Sequence, residues 1–591
     1  MRHGKLICGI SFILSLIIFL SSCNGGGASA SATVLREADI MAEDGTFLYS
    51  LIYPSTMDEE SDAFEEVKNI YSQIRAAFVI KVERKDDAEA ALSDDTYEIL
   101  CGNTNREASE KALEELKANR ENYTNDYIIR VTGKKIVIAA GSDSALVLGL
   151  RYFVENFCTN INDFSKLTDG FSYIYSPEYS IKSATIAGES LSKYTLVVPK
   201  KRSLLWSEKA EEFAENFTEN AGIELKTVKD TEADETEMEI LVGNTNRKES
   251  AGVTGNQYSI KLVGRKLVIN GTDDIQICAA IDLLYEMQRD CIKNGKPFEI
   301  PAGYAVTGKA EKNDEDYYLA WNDEFNAKTL DRTIWVDYSR NTATDDSVMG
   351  GKVYKPDARD CYLENGSLVV PAYRLSREDF QAGQATTEGT VAAMYGIIEI
   401  YAKFPEYPVT ASLWGNLASY ILDPVKGKVQ AQREGGMELD IVENFGSENQ
   451  FACNVHYWFT NEDLNFNPVS GHNSLDGGRY GTKKRFTYTE GSLAEDYHLY
   501  SVRWTPYELS FAFDGDVYFK YDLMENENTS FTASPLMFLI GASYAAPNYG
   551  PQAIEDNAPT ETGLYVDYFR LYQSDQYDSV LWVTPVGSEF Y

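Results

Sequence analysis

One short stretch in the C-terminal half, Gly436-Met437-Glu438-Leu439-Asp440-Ile441-Val442-Glu443, admits few folds. Its acidic and aliphatic residues interleave at a period of two, the pattern of a strand buried on one face. Glu438 and Asp440 then share a face. Glu443, five positions beyond Glu438, falls on the opposite face under strict alternation. A β-bulge, one inserted residue, returns it to the shared face. Leu439 and Ile441 then point into a core, and three carboxylates line the other side.

Carboxylates packed this closely repel, so ionising one raises the pKa of another. Cleaving an acetal with retention of configuration needs such a pair. One carboxylate is ionised and attacks, and one carboxyl is protonated and donates, about 5–5.5 Å away. The pattern assigns Glu438 as nucleophile and Glu443 as general acid and base. Asp440, between them, hydrogen-bonds the nucleophile. A solvated acidic face is the simpler reading of a lone Glu-x-Asp, and the third carboxylate in bulged register argues against it.

The surrounding blocks extend the pattern. Leu319-Ala320-Trp321-Asn322-Asp323-Glu324-Phe325, Leu363-Glu364-Asn365-Gly366-Ser367-Leu368, Tyr395-Gly396 through Leu413-Trp414, Tyr497-His498 through Asp514-Gly515, and Tyr565-Val566-Asp567-Tyr568-Phe569-Arg570 flank the acidic strand in order. Together with Glu438, Asp440 and Glu443, this stretch of residues 317–573 resembles glycoside hydrolase family 16, the laminarinase, lichenase and agarase family. The resemblance implies an all-β jelly-roll sandwich with an open cleft. It implies sugar stacking on Trp414. It also implies a cleft contact at His456, which by alternation shares a face with Trp458, the second stacking candidate. Some members carry a structural Ca²⁺, whose ligands here would be Glu324, the Gly366 carbonyl and Asp567; catalysis itself requires no cofactor. Val409-Thr410-Ala411 before Trp414 and the loop from Ser543 to Tyr549 depart from the family, which leaves the substrate open.

At 591 residues the chain needs several cores. Its 54 basic against 91 acidic residues, a net charge of −37, exclude nucleic acid as an expected partner and favour a neutral polysaccharide over a sulfated one. Arg2, His3 and Lys5 precede an apolar run over residues 6–20, the form of an export signal. Leu20-Ser21-Ser22-Cys23 resembles a bacterial lipobox. Lipidation at Cys23 would anchor the chain to the cell envelope through the tether 23–32, after removal of a signal at 1–22. The cysteines at 101, 158, 278, 291, 361 and 453 lack metal-ligand spacing and read as buried thiols.

The N-terminal half repeats itself. Glu98-Ile99-Leu100-Cys101-Gly102-Asn103-Thr104-Asn105-Arg106 recurs as Glu239-Ile240-Leu241-Val242-Gly243-Asn244-Thr245-Asn246-Arg247. A hairpin follows each block, turning at Gly133 and at Gly264. Helical patterns cover residues 61–78, 144–157, 207–221 and 274–289. The chain is therefore expected to be multidomain: two repeated α/β modules at 33–176 and 179–305, a charged and solvated linker at 306–316, the sandwich at 317–574, and a tail at 575–591. The Gly-Asn-Thr-Asn-Arg blocks are expected to be turns, with glycan contact as the alternative. The expected activity is endo-hydrolysis of a β-1,3- or mixed β-1,3/1,4-glucan. A galactan-active enzyme, a glycan-binding protein without activity, and a transglycosylase are the rivals.

Overall fold

A computed structural model describes residues 40–41, 47–78, 82–93, 95–120, 122–336, 361–374, 380–406, 409–417, 420–423, 427–430, 436–444, 448–459, 471–474, 484–523, 535–544 and 561–585. Cys23, the leader and the tether lie outside the described residues. The chain forms two compact units, Met1–Pro177 and Glu178–Tyr591.

The first unit is built on one six-stranded sheet. Its spatial order is Arg84–Asp86, Ser50–Tyr53, Glu98–Cys101, Lys135–Ala140, Tyr127–Thr132, Ser172–Tyr175. The first four strands are parallel and the last two join antiparallel. Glu98–Cys101 and Lys135–Ala140 are buried along their whole length, which explains their unbroken apolar runs. Helices Asp62–Phe78, Glu107–Asn119 and Asp143–Phe157 accompany the sheet.

The second unit begins with a sheet of the same order and polarity: Thr227–Lys229, Thr195–Val198, Glu239–Val242, Lys266–Gly271, Tyr258–Val263, Ala305–Gly308. Two long helices pack with it, α1 (Leu204–Ala221) and α2 (Asp274–Asn294). Where the first unit has the helix Glu107–Asn119, this one has only a 3₁₀ turn, Lys248–Ser250. Gly252 and Gly255 follow it with φ of +96° and +88°, and a helix cannot continue through them.

The Gly-Asn-Thr-Asn-Arg blocks are turns held from inside. Asn105 bonds Asp87 through its backbone N–H (2.8 Å) and its side chain (2.9 Å), and Asn246 does the same with Asp230 (2.7 and 2.8 Å). Arg106 is buried against Glu98, and Arg247 against Glu239. Lys135 and Lys266 complete the two clusters at 2.8 and 3.0 Å. Burial acts to raise the Glu98 carboxyl, but its bonds to Arg106 and Lys135 outweigh that and hold it below its ordinary value. These arginines are committed to the fold.

The rest of the second unit is an antiparallel β-sandwich. Its principal strands, in chain order, are β1 (Tyr317–Asp323), β2 (Ser367–Arg374), β3 (Val391–Met394), β4 (Gly396–Lys403), β5 (Val409–Leu417), β6 (Gly436–Glu443), β7 (Gln450–Phe459), β8 (His498–Trp504), β9 (Glu508–Phe513), β10 (Asp516–Asp522), β11 (Leu536–Tyr544), β12 (Glu561–Ser574) and β13 (Val580–Val583), with five short strands at their flanks. One sheet runs β2-β12-β4-β8-β9-β10, with β1 also paired to β12. The other runs β7-β6-β5-β11-β3-β13. The arrangement is jelly-roll-like, and the core between the sheets is apolar and aromatic. Trp335 and Trp504 are fully buried in it, and Trp335 donates to Asp323 at 2.8 Å.

The α/β module covers the outer face of the first sheet. Ile397, Ala512 and Tyr572 of the sandwich share one hydrophobic cluster with Leu204, Trp206 and Ile277. Polar ties surround it: Arg570 and Tyr572 reach Asp274 at 3.1 and 3.3 Å, Arg202 reaches Asp516 at 2.6 Å, and Arg503 pairs with Glu208. The segment expected to be a solvated linker is part of this packing. Residues 305–308 are the last strand of the module's sheet. Asn313 is buried and donates to Cys278, while Asp314 pairs with buried Lys209. Lys312 likewise pairs with Asp575, far away in sequence. The six described cysteines are buried, and no disulfide joins any two of them.

Glu399 of β4 is the buried acid at this junction. It accepts from the Ser203 hydroxyl and the Leu204 N–H, both at 2.7 Å, at the first turn of α1. Burial, and then the charge of Asp274, raise its carboxyl from 4.5 to about 7. The folded chain thus keeps this proton where the unfolded chain has lost it, so stability from it falls as pH rises between those values. Glu399→Gln cannot ionise. Thermal melts across this range are expected to show the variant gaining on the wild type with rising pH, by on the order of 3 kcal/mol in all.

Candidate active site

The β6 strand lies between β5 and β7, and both neighbours record the inserted residue. Against β5, Leu413 stands opposite Val442 and Trp414 opposite Asp440, which leaves Ile441 unmatched. Against β7, the register slips over the same interval, between Asp440 and Glu443. Met437, Leu439, Ile441 and Val442 all pack into the core. Two consecutive residues, Ile441 and Val442, therefore face inward, and alternation restarts with the opposite parity. Glu438, Asp440 and Glu443 come to lie on the face away from the core. Asp440 is buried there; Glu438 and Glu443 are partly exposed.

Rows run across the strands on this face. Asn416 of β5 stands opposite Glu438, Trp414 opposite Asp440, and Ser412 opposite Glu443. One strand further, on β11, come Met537, Leu539 and Gly541. Asn416 is buried, and its amide donates to Glu438 Oε2 at 3.0 Å. One carboxylate oxygen is thereby held, which orients the other. At the end of β6, Asn444 and Ala411 exchange hydrogen bonds of 2.8 and 3.1 Å, which pin the strand just past Glu443.

Trp414 is partly buried and packs on Ala392, Met537 and Leu539. On β7, Asn454 stands opposite Asp440 and His456 opposite Glu438, while Trp458 stands opposite Gly436. The side chains of His456 and Trp458 lie outside those described. Asn416 was legible in principle, two positions past Trp414 on an alternating strand. Its contact with Glu438 needs the β5–β6 register, which no local pattern supplies.

Of the residues expected to bind calcium, Glu324 makes the most contacts. Both oxygens of Glu324 accept from Arg570, at 2.8 and 2.9 Å, and Asn322 adds a third bond at 3.0 Å. Burial, and then the Glu324 charge, raise the Asp567 carboxyl. Gly366 sits in the turn before β2 with φ of +80°. A guanidinium neutralises Glu324, which stands in an ion pair. Among the described residues no group of three or more His, Cys, Asp or Glu side chains is placed to hold a metal.

The model of the glycosyl hydrolases family 16 matches residues 360–568. Glucan endo-1,3-beta-glucosidase A1 of Niallia circulans is 24% identical over 284 residues, which are 43% of this chain and 38% of that protein. Keratan-sulfate endo-1,4-beta-galactosidase of Sphingobacterium multivorum is 23% identical over 261 residues, 44% of this chain and 56% of that one. The chain thus spans between about two fifths and just over half the length of these curated relatives. Among solved structures, the catalytic domain of an endo-1,3-beta-glucanase (laminarinase) from Thermotoga petrophila RKU-1 aligns at 22% identity and a TM-score of 0.35, over 44% of this chain and 99% of that one. A fold like that of glycoside hydrolase family 16 occupies the C-terminal part of the chain, and the bulged acidic strand lies within it.

Proposed function

We propose that the chain is a retaining endo-glycoside hydrolase acting on a neutral β-glucan with β-1,3 or mixed β-1,3/1,4 linkages. The observation that carries the reading is the inserted residue at Ile441, which puts Glu438 and Glu443 on one face. In this reaction Glu438 attacks the anomeric carbon while Glu443 protonates the departing oxygen. The glycosyl-enzyme ester is then hydrolysed by a water that Glu443 deprotonates. Asn416 orients Glu438, and Asp440 lies between the two acids. Trp414, His456 and Trp458 are the proposed sugar contacts, with the rings of Trp414 and Trp458 offered to the apolar faces of pyranoses.

The names of relatives support both a glucan and a galactan reading. The net charge of −37 disfavours a sulfated galactan and leaves a neutral glucan or a neutral galactan. The two α/β modules are proposed to be copies of one unit, since sheet order and the Asn–Asp and Arg–Glu clusters recur. Export and lipidation at Cys23 are proposed from the leader alone. No described helix is long and apolar enough to cross a membrane.

Laminarin, lichenan and agarose, digested side by side, test the substrate; release from agarose alone overturns the glucan reading. Glu438→Gln is expected to lower kcat at least about 10³-fold with the fold intact by circular dichroism. Asn416→Ala is expected to lower kcat by about tenfold to a hundredfold with little change in KM. Because the lost bond favours ionised Glu438, the acidic limb of that variant's rate profile should also move to higher pH. The reaction routes no step through a metal. With Arg570 on Glu324, millimolar calcium is expected to leave the melting temperature unchanged, as differential scanning fluorimetry would show.

A further inference from the structure

The row that starts at the proposed nucleophile does not stop at β11. Strand β13 lies beyond the residues that the family model matches. It pairs with β3, placing Trp582 opposite Ala392. Ala393 stands opposite Leu536 of β11, so Ala392 is level with Met537, one step along the antiparallel register. Met537 stands opposite Asn416, and Asn416 opposite Glu438. Val391 and Ala393 point into the core, so Ala392 and Trp582 lie on the carboxylate face. The row reads Glu438, Asn416, Met537, Ala392, Trp582. It spans four strand spacings, about 19 Å.

Between its ends the floor is apolar. Ala392, Met537 and Leu539 form a small buried cluster, and Trp414 and Trp582 both pack on it. Trp582 remains partly exposed. An indole fixed on an apolar base and still open to water offers a flat face to the C–H side of a sugar ring, at little cost in side-chain entropy.

We propose that Trp582 is the stacking platform of a distal subsite, which holds a neutral β-linked glycan chain several sugars away from the bond at Glu438. The proposal rests on the function above and adds a length requirement to it. Chains long enough to lie along the row gain the Trp582 contact, and short ones do not.

The full chain is compared with Trp582→Leu, which refills the cluster without a ring, and with Trp582→Tyr, which restores one. Kinetics are measured on the preferred polymer and on the shortest oligosaccharide that the wild type cleaves. In Trp582→Leu, KM for the polymer is expected to rise about 3- to 10-fold, the range of one aromatic contact. The KM for the short substrate should stay put, and Trp582→Tyr should recover most of the loss. A KM that rises equally on both substrates, no rise on the polymer, or a failure of Tyr to rescue overturns the subsite.

Retardation in gels containing the polymer, measured in a Glu438→Gln background, reads binding without turnover. If the wild type cleaves no glycan but Trp582→Leu abolishes retardation, the function fails and the subsite stands. An active wild type whose KM and retardation ignore residue 582 overturns the subsite and leaves the function.

Discussion

Parity along a single strand governs this site. A β-strand turns alternate side chains to opposite faces, so two groups an odd number of residues apart cannot cooperate on one face. Glu438 and Glu443 are five apart, and the unmatched Ile441 resolves the conflict. The cost is small: Ile441 and Val442 both enter the core, where an isoleucine and a valine are at home. The bulge is specified twice, by β5 and by β7, so it is built into the centre of the sheet and is not a loose edge feature.

The same sheet carries Asn416 and Trp414 from β5 and Met537 from β11 beside the acids. Strand register therefore places every described member of the site. Loops position none of these groups, and rigid elements hold side chains more closely than loops do. The opposite sheet has a different task. Its outer face is closed by an α/β module whose helix α1 starts on Glu399 and whose helix α2 supplies Asp274 to Arg570. Arg570 then grips Glu324 with the rest of its guanidinium. One side chain thus joins the module, β12 and the end of β1. Arg570 pairs with Glu324, and its charge also serves the junction.

Alternation made β6 legible, because acidic and aliphatic residues differ sharply and the break in their rhythm marks the bulge. The repeated blocks were legible for a related reason. The same nine-residue pattern recurs; the structure adds that each arginine is received by the glutamate eight residues upstream. Where the first unit has the helix Glu107–Asn119, the second has a 3₁₀ turn followed by Gly252 and Gly255 at positive φ, a local difference. The linker's charged residues are exposed, as their charge suggests, but Asn313 among them is buried. Asp314 is paired with Lys209, more than one hundred residues earlier, and only folding brings them together.

By itself, the chain's residue order determined the strand that bears the carboxylates, the need for an inserted residue, the mixed α/β character of the N-terminal half and the all-β character of the C-terminal half. These are local properties, set by periodicity and by the conformations that glycine and β-branched residues prefer. Tertiary structure alone decided that Asn416 holds Glu438, that Trp582 ends the row begun by Glu438, and that Arg570 takes Glu324. Each depends on which strands become neighbours and in what register. Pairing is decided by burial summed over whole sheets, so no local stretch of sequence contains it.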